Sequence, residues 1–62
     1  MYTFLMVFTN DNHPCESHLV HKYGKEMLEE ALNNGYITTF GLTSDGETQY
    51  TITEKGKNKR DN

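Results

Sequence analysis

Apolar side chains crowd the start of the chain. In YTFLMVFT, residues 2 to 9, an extended backbone would put Tyr2, Phe4, Met6 and Phe8 on one face and Thr3, Leu5, Val7 and Thr9 on the other. That alternation predicts a β-strand whose centre is apolar on both sides. A strand of this kind needs cover on both faces, or it invites pairing with another chain. One helical layer can cover one face only, so the second cover is expected from a second copy, in a homodimer formed through the Tyr2 to Phe8 strand.

The pattern then changes. TNDNHP reads as a turn in which Asn10, Asp11 and Asn12 bond their own backbone, and Pro14 suits a first helical position. From about Cys15 to Asn33 the apolar positions are Leu19, Val20, Tyr23, Met27, Leu28, Ala31 and Leu32, at helical spacing, with Glu16, Lys22, Glu26, Glu29 and Glu30 on the other side. Gly24 leaves two options. It sits inside one long helix at a cost of about 1 kcal/mol relative to alanine, or it ends a helix over about 15–23 and turns the chain into a second over about 25–33. NNG, ending at Gly35, is a helix stop.

YITTFGLT and TQYTIT read as two strands of a hairpin. A two-residue loop at Asp45 and Gly46 would set Phe40 opposite Thr51. A three-residue loop of Ser44, Asp45 and Gly46, with the glycine in the left-handed position, sets Phe40 opposite Tyr50 and Leu42 opposite Thr48. The second register is preferred because it gathers Tyr36, Phe40, Leu42, Tyr50 and Ile52 on one face. The closing KGKNKRDN has no apolar residue and is expected to fray. The order is therefore strand, one long helix or a helix-turn-helix pair, then a β-hairpin. This describes a small α+β domain over residues 1–56, an antiparallel sheet packed on helix, followed by a basic, disordered tail over 57–62.

The stretch EMLEEALNNGYITTFGLTSDGETQYTITEKGK resembles the last part of winged helix-turn-helix DNA-binding domains. Ala31, Leu32, Gly35, Tyr36 and Ile37 match the family's helix exit, Ser44, Asp45 and Gly46 lie at the tip of the hairpin that forms its wing, and Tyr50, Ile52, Thr53, Lys55 and Gly56 match the return strand. The resemblance covers about half of the chain. Winged-helix domains open with a helix before their first strand, whereas this chain reads as opening with a strand. The resemblance implies a small non-enzymatic regulator of transcription that binds duplex DNA, of a kind frequent among bacterial and phage genes. Its phosphate contacts would come from Lys25, Lys55, Lys57, Lys59 and Arg60. The recognition helix so placed is acidic, with Glu26, Glu29 and Glu30 against Lys25. This keeps open the alternative of a protein-binding module, such as a phage-encoded modulator of a host protein.

Composition narrows the picture. The 62 residues, 34% hydrophobic and 24% charged, make one domain with a small core. A formal charge of −3 weighs against nucleic-acid binding in general, yet four of the six basic residues fall in the last eight positions. The single Cys15 cannot form an internal disulfide, which points to the cytoplasm. The apolar start has about eight residues where a membrane span needs roughly 20, and it lacks a basic flank, so neither a span nor a signal peptide is expected.

One cluster carries possible chemistry. HPCESHLVH places His13, Cys15, His18 and His21 within nine residues, donors that zinc accepts. A single short segment rarely wraps an ion tetrahedrally, so the expectation is no metal and no cofactor, with Cys15 half-buried and the histidines facing solvent or a partner. A Cys/His nucleophile would further need an orienting group and an oxyanion site, for which this chain has little room. No catalytic residue is assigned.

Overall fold

A computed structural model describes residues 1–9 and 12–61. Asn10 and Asp11 of the expected turn, and Asn62 at the end of the basic segment, lie outside the described residues. The elements run α1 (Tyr2–Leu5), α2 (Glu16–Tyr23), α3 (Lys25–Asn33), β1 (Ile37–Leu42), β2 (Thr48–Ile52) and α4 (Glu54–Asp61). The fold is mixed α+β with a two-stranded antiparallel sheet.

The first element is a helix, which corrects the expected strand. Leu5 N donates to Met1 O and Met6 N to Tyr2 O, both at 3.0 Å, and the turn continues through Phe8 N to Leu5 O at 3.1 Å. Coiling the segment brings Phe4, Leu5 and Phe8 to one side, where all three are buried, while Tyr2 and Met6 stay exposed. The apolar surface that suggested a dimer through Tyr2 to Phe8 is thus largely consumed inside the chain's own core.

Pro14 is also placed differently from expectation. It precedes the N-cap residue, Cys15, in extended chain rather than opening the helix. Its carbonyl accepts Tyr50 N at 3.0 Å, and Cys15 forms an antiparallel bridge with Gln49. Gln49 also pairs with Gly41 of β1, so residues 13–15 run along the opposite edge of β2.

At Gly24 the chain makes two helices. The residue adopts φ 94°, ψ 153°, outside any helical region, and its N–H caps α2 by donating to Val20 O at 2.8 Å. Past α3, the N–H of Gly35, at φ 75°, bonds Leu32 O at 3.1 Å and that of Tyr36 bonds Ala31 O at 2.9 Å. This pair of bonds is a Schellman stop, as the NNG sequence predicts.

The hairpin loop is the expected one. Thr43 pairs with Glu47 across Ser44, Asp45 and Gly46, Gly46 has φ 85°, and Leu42 stands opposite Thr48. A bulge at Phe40 then shifts the register, so Thr39 rather than Phe40 faces Tyr50, and Ile37 faces Ile52. One inserted residue moves every later side chain to the other face. Ile37, Tyr50 and Ile52 are buried as a result, while Phe40 and Leu42, expected on one face with Tyr50 and Ile52, are 57% and 68% exposed.

The core joins Phe4, Leu5, Phe8, Leu19, Leu28, Ala31, Ile37, Tyr50 and Ile52. Phe4 sits at its aromatic centre, 5.5 Å from the Phe8 ring and 5.3 Å edge-on to Tyr23.

The segment from Lys55 on, expected to fray, and with it the tail expected to be disordered from Lys57, is helical through Asp61 in α4 (Glu54–Asp61). Thr53 caps it: its hydroxyl accepts Gly56 N at 3.1 Å, and Lys57 N begins the helix by bonding Thr53 O at 2.9 Å. The same Thr53 bonds back to the helix exit, through its N–H to Tyr36 O at 2.9 Å and its hydroxyl toward Gly35 O and Tyr36 O. The GYI and TEKG segments therefore meet at one point. No helix is long and apolar enough to cross a membrane among the described residues.

Candidate functional site

Three surfaces hold the residues singled out by the sequence. The first is the outer face of α3. Glu26, Glu29 and Glu30 are three and four residues apart, hence on one side of the helix, and all are exposed. Like charges at these spacings destabilise a helix by a few tenths of a kcal/mol per pair. Glu30 also lies in the half of α3 nearer its negative dipole end. Among the described residues none of the three has an ion-pair partner. Leu28 and Ala31, on the opposite side, are buried and fix which face points outward.

The second surface is α4. Lys55 and Lys59 are exposed and Lys57 is half-buried. The Lys55 ammonium lies 5.6 Å from the centre of the Tyr36 ring, just past the C-terminal end of α3. Lys25 opens α3 at its other end. A nine-residue helix is about 13 Å long, so these two cations bracket the acidic face rather than join into one basic patch.

Arg60 departs from the expected set of phosphate contacts. Its Nη1 donates to Phe8 O at 2.7 Å and its Nε pairs with Asp61 at 3.2 Å, leaving the side chain 20% exposed. The guanidinium fastens the end of α4 to the end of the first helical segment. It is engaged within the fold, in a position where a phosphate would have to displace these bonds.

The third surface is the hairpin tip. Ser44, Asp45 and Gly46 are exposed, and the Thr43 hydroxyl donates to the Asp45 carboxylate while accepting Glu47 N at 3.0 Å. That hydroxyl, and the Asp45 backbone amide, hold the Asp45 carboxyl below its ordinary range. A carboxylate kept ionised at the tip is a poor neighbour for a phosphate. At the base of the loop, Glu47 Oε1 accepts Ser17 N at 2.7 Å. Cys15, the N-cap residue, makes no side-chain cap, so Glu47 supplies from the hairpin the cap that α2 lacks locally. The DG turn fixes where the hairpin reverses, but only the third dimension brings Glu47 to α2.

The histidines separate. His18 and His21 are exposed on α2, whereas His13, expected to face solvent or a partner, is half-buried with its ring stacked on Phe40 at 3.6 Å and 5°. No group of three or more His, Cys, Asp or Glu side chains among the described residues is arranged to hold a metal ion. A shallow groove between the first and last helices is lined by Tyr2, Met6, Phe8, Thr9, Arg60 and Asp61, and its two charged groups are paired with each other. Buried Tyr50 has its pKa raised, by desolvation first and then by the negative charge of Glu16. Its side chain is held in the wall of the core.

No protein-family model, curated protein or solved structure matches the chain.

Proposed function

We propose that the chain is a non-enzymatic binding domain of winged-helix type whose partner is a protein, engaged through the outer face of α3. Its element order supports the architecture. A helix precedes the first extended segment at Cys15, two helices turn at Gly24, and a hairpin with a three-residue tip follows. The opening strand that set the sequence apart from the family is absent, and the matched residues Gly35, Tyr36, Thr53 and Gly56 converge on one contact.

The observation that carries the choice of partner is the unpaired carboxylate row of Glu26, Glu29 and Glu30 on the helix that would otherwise lie against DNA. Affinity for nucleic acid comes chiefly from neutralised phosphates, and this face repels them. A basic protein surface is complementary to it. The second reading, a small DNA-binding regulator, is favoured by Lys25, Lys55 and Lys59, which are exposed, and by Lys57 beside them.

Retardation of random duplex DNA at low and moderate salt tests the choice. The expected result is no retardation at either, and salt-sensitive binding by the E26K/E29K/E30K variant, whose charge is reversed. Binding by the unmodified protein at low salt, lost in K55A/K57A/K59A, would establish the DNA reading instead. Capture from a lysate of the protein's own cells is expected to yield a stoichiometric partner that E26K/E29K/E30K no longer holds.

A further inference from the structure

Residues 13–15 form a strap along the edge of β2. Pro14 O accepts Tyr50 N at 3.0 Å, Gln49 Nε2 donates to His13 O at 3.2 Å, and Cys15 bridges Gln49. At the head of the strap the His13 ring lies flat on the Phe40 ring, 3.6 Å away and 5° from parallel. Its Nδ1 is buried, and among the described residues no hydrogen-bond partner reaches it. We infer that His13 is an acid-sensitive clasp: its neutral ring holds the strap against the hairpin, and uptake of a second proton releases it.

The two protonation states differ in what they ask of Nδ1. A neutral imidazole can carry its proton on Nε2 and leave only a lone pair at Nδ1, whereas an imidazolium has an N–H on both nitrogens. A buried donor left without an acceptor is costly, and more so when it carries charge. The face of the Phe40 ring attracts a cation and offsets part of that cost, but Phe40 is exposed and such attraction is weak at exposed sites. Opening the strap brings Nδ1 to water and removes the penalty. By linkage, acid therefore favours the open form. The strap's contribution to stability is present while His13 is neutral and is lost as pH falls.

The acidic groups of the elements packed here are engaged elsewhere among the described residues. Glu16 of α2 acts on Tyr50, Glu47 accepts Ser17 N, and Asp45 is bonded to Thr43 at the tip. β1 has no titratable residue, and in β2 the one such side chain is Tyr50, whose ring belongs to the core. His18 and His21 are exposed, and Lys22 lies at the other end of α2 over the Tyr23 ring. The strap leads directly into α2, so its release loosens the joint between helix pair and hairpin and bares the edge of β2. The outer face of α3 takes no part, and the clasp does not depend on what binds there.

Hydrogen exchange from about pH 8 to about pH 5, corrected for intrinsic rates, is the test, because this range covers ordinary histidine titration and stays above that of carboxylates. Protection of the Tyr50 amide, which the strap holds, is expected to fall by roughly tenfold toward the acid end. The Tyr36 amide, bonded to Ala31 O, is expected to keep its protection. His13→Phe retains a flat ring with no proton to gain, and in it the Tyr50 amide is expected to stay protected throughout. H18Q/H21Q is expected to respond as the unmodified protein does, and so is Asp11→Asn, made because Asp11 lies outside the described residues and close to His13 in the chain. Protection of Tyr50 that is constant or rises toward acid in the unmodified protein would overturn the inference. So would a response that persists in His13→Phe, or one that H18Q/H21Q or Asp11→Asn abolishes.

Discussion

Gly56 lies so close to Tyr36 that a Cβ added to it would come within 2.0 Å of the Tyr36 carbonyl oxygen and 2.7 Å of Ile52 Cγ1. The first turn of α4 can therefore seat against the exit of α3 only if this position carries no side chain. Gly56→Ala would gain about 1 kcal/mol in helix propensity, yet it must push backbone apart, and overpacking of this kind costs typically about 1–3 kcal/mol and sometimes more. The expected outcome is a net loss of stability, read as a lower urea midpoint, together with faster exchange of the α4 amides.

Gly24 has the opposite surroundings. A Cβ there meets nothing within 4 Å, so any cost of substitution is conformational. With φ 94° and ψ 153° the backbone is in a region open essentially to glycine alone, at about 1–3 kcal/mol for other residues. Gly24→Ala is expected to lower the melting temperature. Gly24→Asn is expected to do no better, because asparagine relieves left-handed helical positions and not this one.

Arg60 supplies a third test. Its bond to Phe8 O is charge-assisted and partly shielded from water, and hydrogen bonds of that type contribute about 1.5–3 kcal/mol. Arg60→Ala is expected to destabilise the protein by an amount near the low end of this range and to loosen residues 2–8 and 54–61 together in hydrogen exchange. Arg60→Lys is expected to recover part of the loss, since an ammonium lacks the planar fork that serves two acceptors at once.

Alkaline pH probes Tyr50. Burial and the Glu16 charge raise its pKa above the ordinary 10.0, so the folded protein favours the neutral phenol. Its contribution to stability is fully present below about pH 10 and is lost as pH rises through the raised value. Urea midpoints followed from about pH 8 to about pH 12 are expected to fall at the high end. Tyr50→Phe is expected to flatten that fall.

The residues explain how far the sequence could be read. The Gly35 stop and the three-residue loop rest on local rules of φ and capping, and each is found where those rules put it, while Gly24, open to one long helix or a pair, makes the pair. Residues 2–9 are a short apolar run that satisfies two periods at once: Phe4, Met6 and Phe8 suit a strand, while Phe4, Leu5 and Phe8 suit a helix, and only packing against Tyr23 and α4 decides. Alternation puts Phe40 on one face with Tyr50 and Ile52 because it assumes an unbroken ladder, and a bulge leaves no apolar signature. The last segment has no apolar residue to announce its docking; what docks it is a missing side chain at Gly56, a hydroxyl at Thr53 and a guanidinium at Arg60. Hydropathy is blind to all three. At the candidate site, the acidic face of α3 was legible from spacing alone, whereas the internal engagement of Arg60 required Phe8 to arrive from the other end of the chain.

The bond from Ser17 N to Glu47 has a mechanical meaning. Glu47 follows the hairpin tip directly and Ser17 lies in the first turn of α2, thirty positions away along the chain. A displacement of the tip draws on that turn, and loss of the bond uncaps it. Whatever touches Ser44 to Gly46 is thereby reported at an amide of another element, and the Ser17 resonance becomes a built-in gauge of contact at the hairpin tip.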